Sequence, residues 1–82
     1  MAHLRVLSSR GDSAVEWDIQ RADAGDAEAI AAVDEAERIF RQQRARGATA
    51  FIVEGDQPAR RIDTFDPHAE QILMVPRLAG GR

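Results

Sequence analysis

Gln71-Ile72-Leu73-Met74-Val75-Pro76-Arg77-Leu78-Ala79-Gly80-Gly81-Arg82 falls into two halves of opposite character. Ile72 to Val75 is an unbroken apolar run of strand length, which predicts a central strand over Gln71–Val75 buried on both faces. Pro76 has no backbone N–H to give a neighbouring strand, so the ladder ends there. Beyond it come Gly80 and Gly81, which carry no Cβ and take any backbone angle. The chain therefore reads as one domain over residues 1–75 and a flexible tail over residues 76–82.

A strand buried on both faces needs neighbours, and the preceding sequence supplies them. His3 to Leu7 reads as a short strand with Leu4 and Val6 on one face. Ser8-Ser9-Arg10-Gly11-Asp12-Ser13 is a polar turn with Gly11 for positive φ. Ala14 to Gln20 alternates, placing Val15, Trp17 and Ile19 opposite Glu16 and Asp18, so the two strands form a hairpin. Asp23 or Asp26 can cap a helix over Ala27–Arg46, whose residues are mostly good helix formers. Ile30, Val33, Ala36, Ile39 and Phe40 give it one apolar stripe. Acids lead and arginines trail along it, in the order the helix dipole favours, and Gly47 stops it. Ala48 to Glu54 is a third strand, with Phe51 and Val53 on one face and Ala50 and Ile52 on the other. Arg60 to Phe65 is a short fourth strand or an extended segment carrying Ile62 and Phe65. Asp66-Pro67-His68-Ala69-Glu70 is a single helical turn capped by Asp66, with Pro67 at its first position. The order is β-β-α-β-β-β: an α+β domain with a mixed sheet of four to five strands packed on one long helix. The first and last strands lie parallel and side by side, which is the β-grasp arrangement.

Composition narrows the function. The chain has 82 residues, enough for one core and too few for two, so only several kcal/mol of stability is expected. Net charge is −3 with acids and arginines interspersed, which disfavours nucleic acid as a partner. No apolar run is long enough to span a membrane, and no secretory signal is visible, so membrane partnership is not expected and a cytoplasmic location is. With no cysteine there is no disulfide framework and no thiol nucleophile. All basic residues are Arg, so the protein has no ε-amine of its own to act as an acceptor.

The segment Val75-Pro76-Arg77-Leu78-Ala79-Gly80-Gly81 resembles the end of ubiquitin, which runs Val-Leu-Arg-Leu-Arg-Gly-Gly. It also resembles the ends of the small sulfur carriers, such as the molybdopterin-synthase small subunit, and Ala79 matches these where ubiquitin has Arg. The resemblance implies a ubiquitin-like protein modifier or carrier of bacterial type, activated at Gly80 and Gly81. Its partner would be an adenylating activating enzyme that uses ATP, so the chain needs no cofactor of its own. A conjugating enzyme and a deubiquitinase-type metalloprotease would stand beside it. Arg77, Leu78 and Ala79 would be the residues by which the tail is recognised, and Arg82 would be removed by processing. The alternatives are a sulfur carrier with a thiocarboxylate at Gly81, serving molybdopterin or thiamine synthesis, and a β-grasp module that binds without covalent chemistry.

Other residues read more plainly. His3 and His68 have no ligands at metal spacing and are expected on the surface. Asp66 is expected to cap its turn and Asp63 to be solvated. Trp17 belongs to the core by its alternation with Val15 and Ile19. The arginines of the helix end are expected in a solvated, salt-bridged face. No Ser/His/Asp or Cys/His constellation and no phosphate-cradling glycine loop is visible, so the chain is expected to be a monomeric substrate of other enzymes and no enzyme itself.

Overall fold

The structure is a computed structural model and describes residues 1–8 and 13–77. Seven elements follow in order: β1 (Ala2–Val6), β2 (Ser13–Trp17), α1 (Ile19–Asp23), α2 (Ala27–Ala45), β3 (Thr49–Ile52), β4 (Arg60–Ile62) and β5 (Gln71–Val75). The strands form one mixed sheet of order β2-β1-β5-β3-β4. Only β1 and β5 are parallel, with Leu4 opposite Ile72 and Val6 opposite Met74. The expected β5 range is the observed one.

Alternation decides which side chains enter the core. Ala2, Leu4 and Val6 of β1, Ala50 and Ile52 of β3, Ile62 of β4, and Ile72 and Met74 of β5 face one way and are buried. Helix α2 covers that face with Ala36 and Phe40, flanked by the partly buried Ala32, Val33 and Ile39. On the other face of β5, Leu73 and Val75 are half-buried, so the strand is central without being fully buried on both sides. Among the described residues, no helix covers this second face. The apolar run carries strand propensity on both faces, but one helix shields only one of them.

Three local expectations are corrected around the two helices. Strand β2 stops at Trp17, and Ile19 opens a helical turn instead of extending the alternation. Asp18, at φ −96°, accepts a hydrogen bond from Arg21 N at 3.1 Å and so caps α1. Gly25, at φ +89°, closes it: Gly25 N donates to Ala22 O and Asp26 N to Arg21 O, the paired bonds of a Schellman stop. Ile30 is 39 % exposed, because it lies about 120° around the helix from Ala36, outside the stripe that Ala29, Ala36 and Phe40 define. Neither Asp23 nor Asp26 caps α2 through its side chain. Asp26 holds the N-cap position without a side-chain bond, and its Oδ2 lies 3.0 Å from Arg21 Nη2 in a charge contact not aligned as a hydrogen bond.

Residues 66–69 form a β-turn and not a helical turn. Ala69 N donates to Asp66 O at 3.2 Å and His68 N to Asp66 Oδ1 at 2.9 Å, with Pro67 pre-set at the second position. Strand β4 ends at Ile62, short of the expected Phe65, since Phe65 turns inward between Trp17 and Phe40 with ring centroids 5.8 Å from each. The remaining ends differ from expectation by one or two residues: β1 starts at Ala2, β3 runs Thr49–Ile52, and α2 ends at Ala45. Gly47 stops α2 as expected, at φ +94°, with Gly47 N on Arg44 O and Ala48 N on Gln43 O.

Candidate functional site

Because β1 and β5 are parallel, their C-terminal ends emerge together at one end of the sheet. The antiparallel pairing of Thr49 with Val75 brings the start of β3 there too, and with it the C-terminal end of α2. Leu7 N donates to Met74 O at 3.0 Å, so β1 holds β5 to the last turn before Pro76. Pro76 and Arg77 then lie exposed at the surface.

Around this exit, Val6, Leu7, Ser8, Gln43, Arg46, Ala48, Pro76 and Arg77 line a depression of about 300 Å³. The backbone of Gly47 forms a seat for the Arg77 side chain: a methyl group at position 47 would meet Cδ of Arg77 at 3.0 Å. The absent Cβ thus serves both the left-handed turn that stops α2 and the close approach of the outgoing chain.

The charges near the exit divide into committed and uncommitted ones. Arg44 donates to Ala48 O at 3.0 Å and to Asp63 Oδ1 at 3.2 Å. Arg38 pairs with Glu35 at 2.7 Å and Arg41 with Glu37 at 2.8 Å, the salt-bridged face expected of this helix. The hydrogen bond from Arg38 holds the Glu35 carboxyl below its ordinary range and raises the guanidinium. Among the described residues, Arg46 and Arg77 have no ion-pair partner.

Of the residues expected to carry function, Arg77 stands at the exit. Leu78, Ala79, Gly80, Gly81 and Arg82 lie outside the described residues, as does Gly11 of the β1–β2 turn. Arg46 was not singled out by the sequence, since nothing in its local pattern separates it from Arg44. His3 is half-buried on the second sheet face, and His68 is exposed with Nε2 3.0 Å from Asp23 Oδ1. Among the described residues, no three His, Asp or Glu are grouped so as to hold a metal ion. No helix among them is long and apolar enough to cross a membrane. Trp17 is a core residue, as its alternation implied, and Asp66 caps its turn.

Comparison with protein-family models, with curated proteins and with solved structures found no match for this chain.

Proposed function

We propose that the protein is a β-grasp, ubiquitin-like modifier or carrier whose working group is the carboxylate exposed when the chain is cleaved after Gly81. The observation that supports this most is the route of the last strand. β5 is gripped by β1 on one side and β3 on the other, and delivers the chain past Pro76 onto open surface. A tail anchored in the sheet centre can be pulled into another protein's channel without unravelling an edge. The parallel β1–β5 pair with one long helix across the sheet agrees with a β-grasp; α1 is an addition to it.

The chemistry assigned to the tail is acyl activation by a partner. A carboxylate oxygen of Gly81 attacks the α-phosphate of ATP and pyrophosphate leaves, giving a mixed anhydride. A thiolate then attacks the acyl carbon and AMP leaves with the bond electrons. Gly80 and Gly81 suit this because a chain without Cβ atoms fits a narrow channel. In this reading the protein catalyses nothing; the activating enzyme does.

The test is the intact mass of the protein recovered from its native cells. A species ending at Gly81, together with adducts on other proteins, is the expected result. A species ending at Gly81 with one oxygen replaced by sulfur selects the sulfur carrier. A single species extending past Gly81, unchanged by incubation with ATP and native extract, removes the tail chemistry altogether.

One observation favours a second reading, a module that binds without covalent chemistry. On the uncovered sheet face, the register aligns Arg5, Leu73, Phe51 and Arg61 in one row across four strands. Half-buried apolar side chains between arginines make a surface that a partner can cover. Binding there that survives loss of residues 78–82 would support it.

A further inference from the structure

The depression at the chain exit has a chemical character of its own. Among the described residues, its lining contains two arginines, no acid, and the apolar surfaces of Val6, Ala48 and Pro76. The protein as a whole is acidic, at −3, so a recess whose described lining is basic runs against its average. Neighbouring arginines are satisfied from within, Arg44 by Asp63 and Arg41 by Glu37. Arg46 and Arg77 are not, among the described residues. Arg60, equally without an ion pair, shares its own depression with Glu54.

Arg46 and Arg77 come from distant parts of the chain and are held together by the fold. Arg46 is fixed by the stop of α2, and the Arg77 stem rests on Gly47 directly beside it. Two arginines lining one depression with apolar residues fit a segment carrying carboxylates and aliphatic side chains together, because both chemistries are then matched at one place. Gly81 follows Arg77 by four residue steps, at most about 14 Å of chain. A tail drawn out to that reach carries Gly81 clear of the depression, and what then meets Arg46 and Arg77 is the partner's outer surface, not its nucleotide.

We infer that the Arg46–Arg77 depression is a docking site for an acidic, aliphatic segment of the protein that takes the tail. The inference rests on the tail reading for the identity of the partner, and on the depression alone for the site. A small domain that presents only a thin tail gains orientation from a second contact at the point where the tail leaves. The charge match speeds encounter and sets the register of entry.

The test titrates the ¹⁵N-labelled full chain with a capped peptide of alternating Glu and Leu, using its Gln/Leu counterpart as control. Saturable shifts are expected at Gln43, Arg46, Gly47, Ala48 and Arg77, weakening as sodium chloride is added. Arg46→Gln and Arg77→Gln should each weaken binding roughly threefold, and the pair about tenfold. Gly81→Ala should leave binding unchanged. Unaltered shifts elsewhere report that the variants remain folded. The inference is overturned if Arg60 and Arg61 respond as strongly, if the double variant binds as well, or if the Gln/Leu peptide is equally effective. Activation at Gly81 without any response at the depression sinks the docking site alone. Docking that persists in a protein never cleaved or activated at Gly81 sinks the tail reading alone.

Discussion

The two ends of the sheet are built on opposite principles. Where β5 begins, every element is tied to another. Trp17 is 2 % exposed and its Nε1 donates to Pro67 O at 2.9 Å, while Phe65 bridges Trp17 and Phe40. His3 N donates to Glu70 O at 2.9 Å, and His68 reaches Asp23 across the surface. Where β5 ends, the chain leaves through a residue that cannot donate, beside two arginines with no ion-pair partner among the described residues. A domain this small has little stability to spare, and it concentrates its cross-links at the end that enters the strand. The other end keeps unspent charge and open surface, which is where a partner can gain by binding.

If that contrast is right, the largest effect comes from the tied end. Trp17→Ala removes the largest fully buried side chain and orphans Pro67 O; it should cost about 3–5 kcal/mol, a large share of the total. Arg77→Ala at the open end should stay within about 0.5 kcal/mol. Urea unfolding of both variants measures the difference directly, and a comparable loss for the two would break the comparison. Trp17→Phe sharpens it: the ring contacts are largely kept, the hydrogen bond is lost, and a cost of about 1–3 kcal/mol is expected.

A smaller effect separates two glycines with nearly the same backbone. Gly25 and Gly47 sit at φ +89° and +94° and each ends a helix with a Schellman pair. Added methyl groups there strain both backbones by about 1–2 kcal/mol. At Gly25 the methyl meets nothing within 4 Å, whereas at Gly47 it meets Cδ of Arg77 at 3.0 Å. Gly25→Ala should therefore lower the melting temperature only. Gly47→Ala should lower it similarly and also shift the Arg77 resonances, because the side chain must give way by a few tenths of an ångström. Unmoved Arg77 signals would show that the exit path does not depend on that contact.

β5 and its stop are legible in the sequence because the signal is local: an apolar run, then Pro76. The same holds for α2 and Gly47. Helix α1 is hidden in the sequence because the alternation of Val15 and Trp17 continues through Ile19, which is apolar and packs partly buried against the core from the helix. Asp18 and Gly25, spaced as a cap and a stop around Ile19–Asp23, were the available signal, and the strand pattern outweighed it. Ile30 was misplaced because three- and four-residue spacings fit two overlapping stripes, and only the sheet decides between them. The exit depression was not legible at all. It joins residues 6–8, 43–48 and 76–77, which the parallel pairing of β1 with β5 brings to one place.

Surface pairs carry the least. Asp23→Asn breaks the contact with His68 between two side chains that are 59 % and 61 % exposed, so less than about 1 kcal/mol is expected. Smaller still is Glu35→Gln, because the Glu35–Arg38 pair stands in solvent. Its interest is the sign. The Glu35 carboxyl is held below its ordinary value, so its contribution is complete above the unfolded value of about 4.3 and is lost as pH falls through the lower folded value. Melting curves of the parent and Glu35→Gln should differ slightly at neutral pH and converge in acid. A gap that widens on acidification would mean that Arg38 does not hold Glu35 in its charged form.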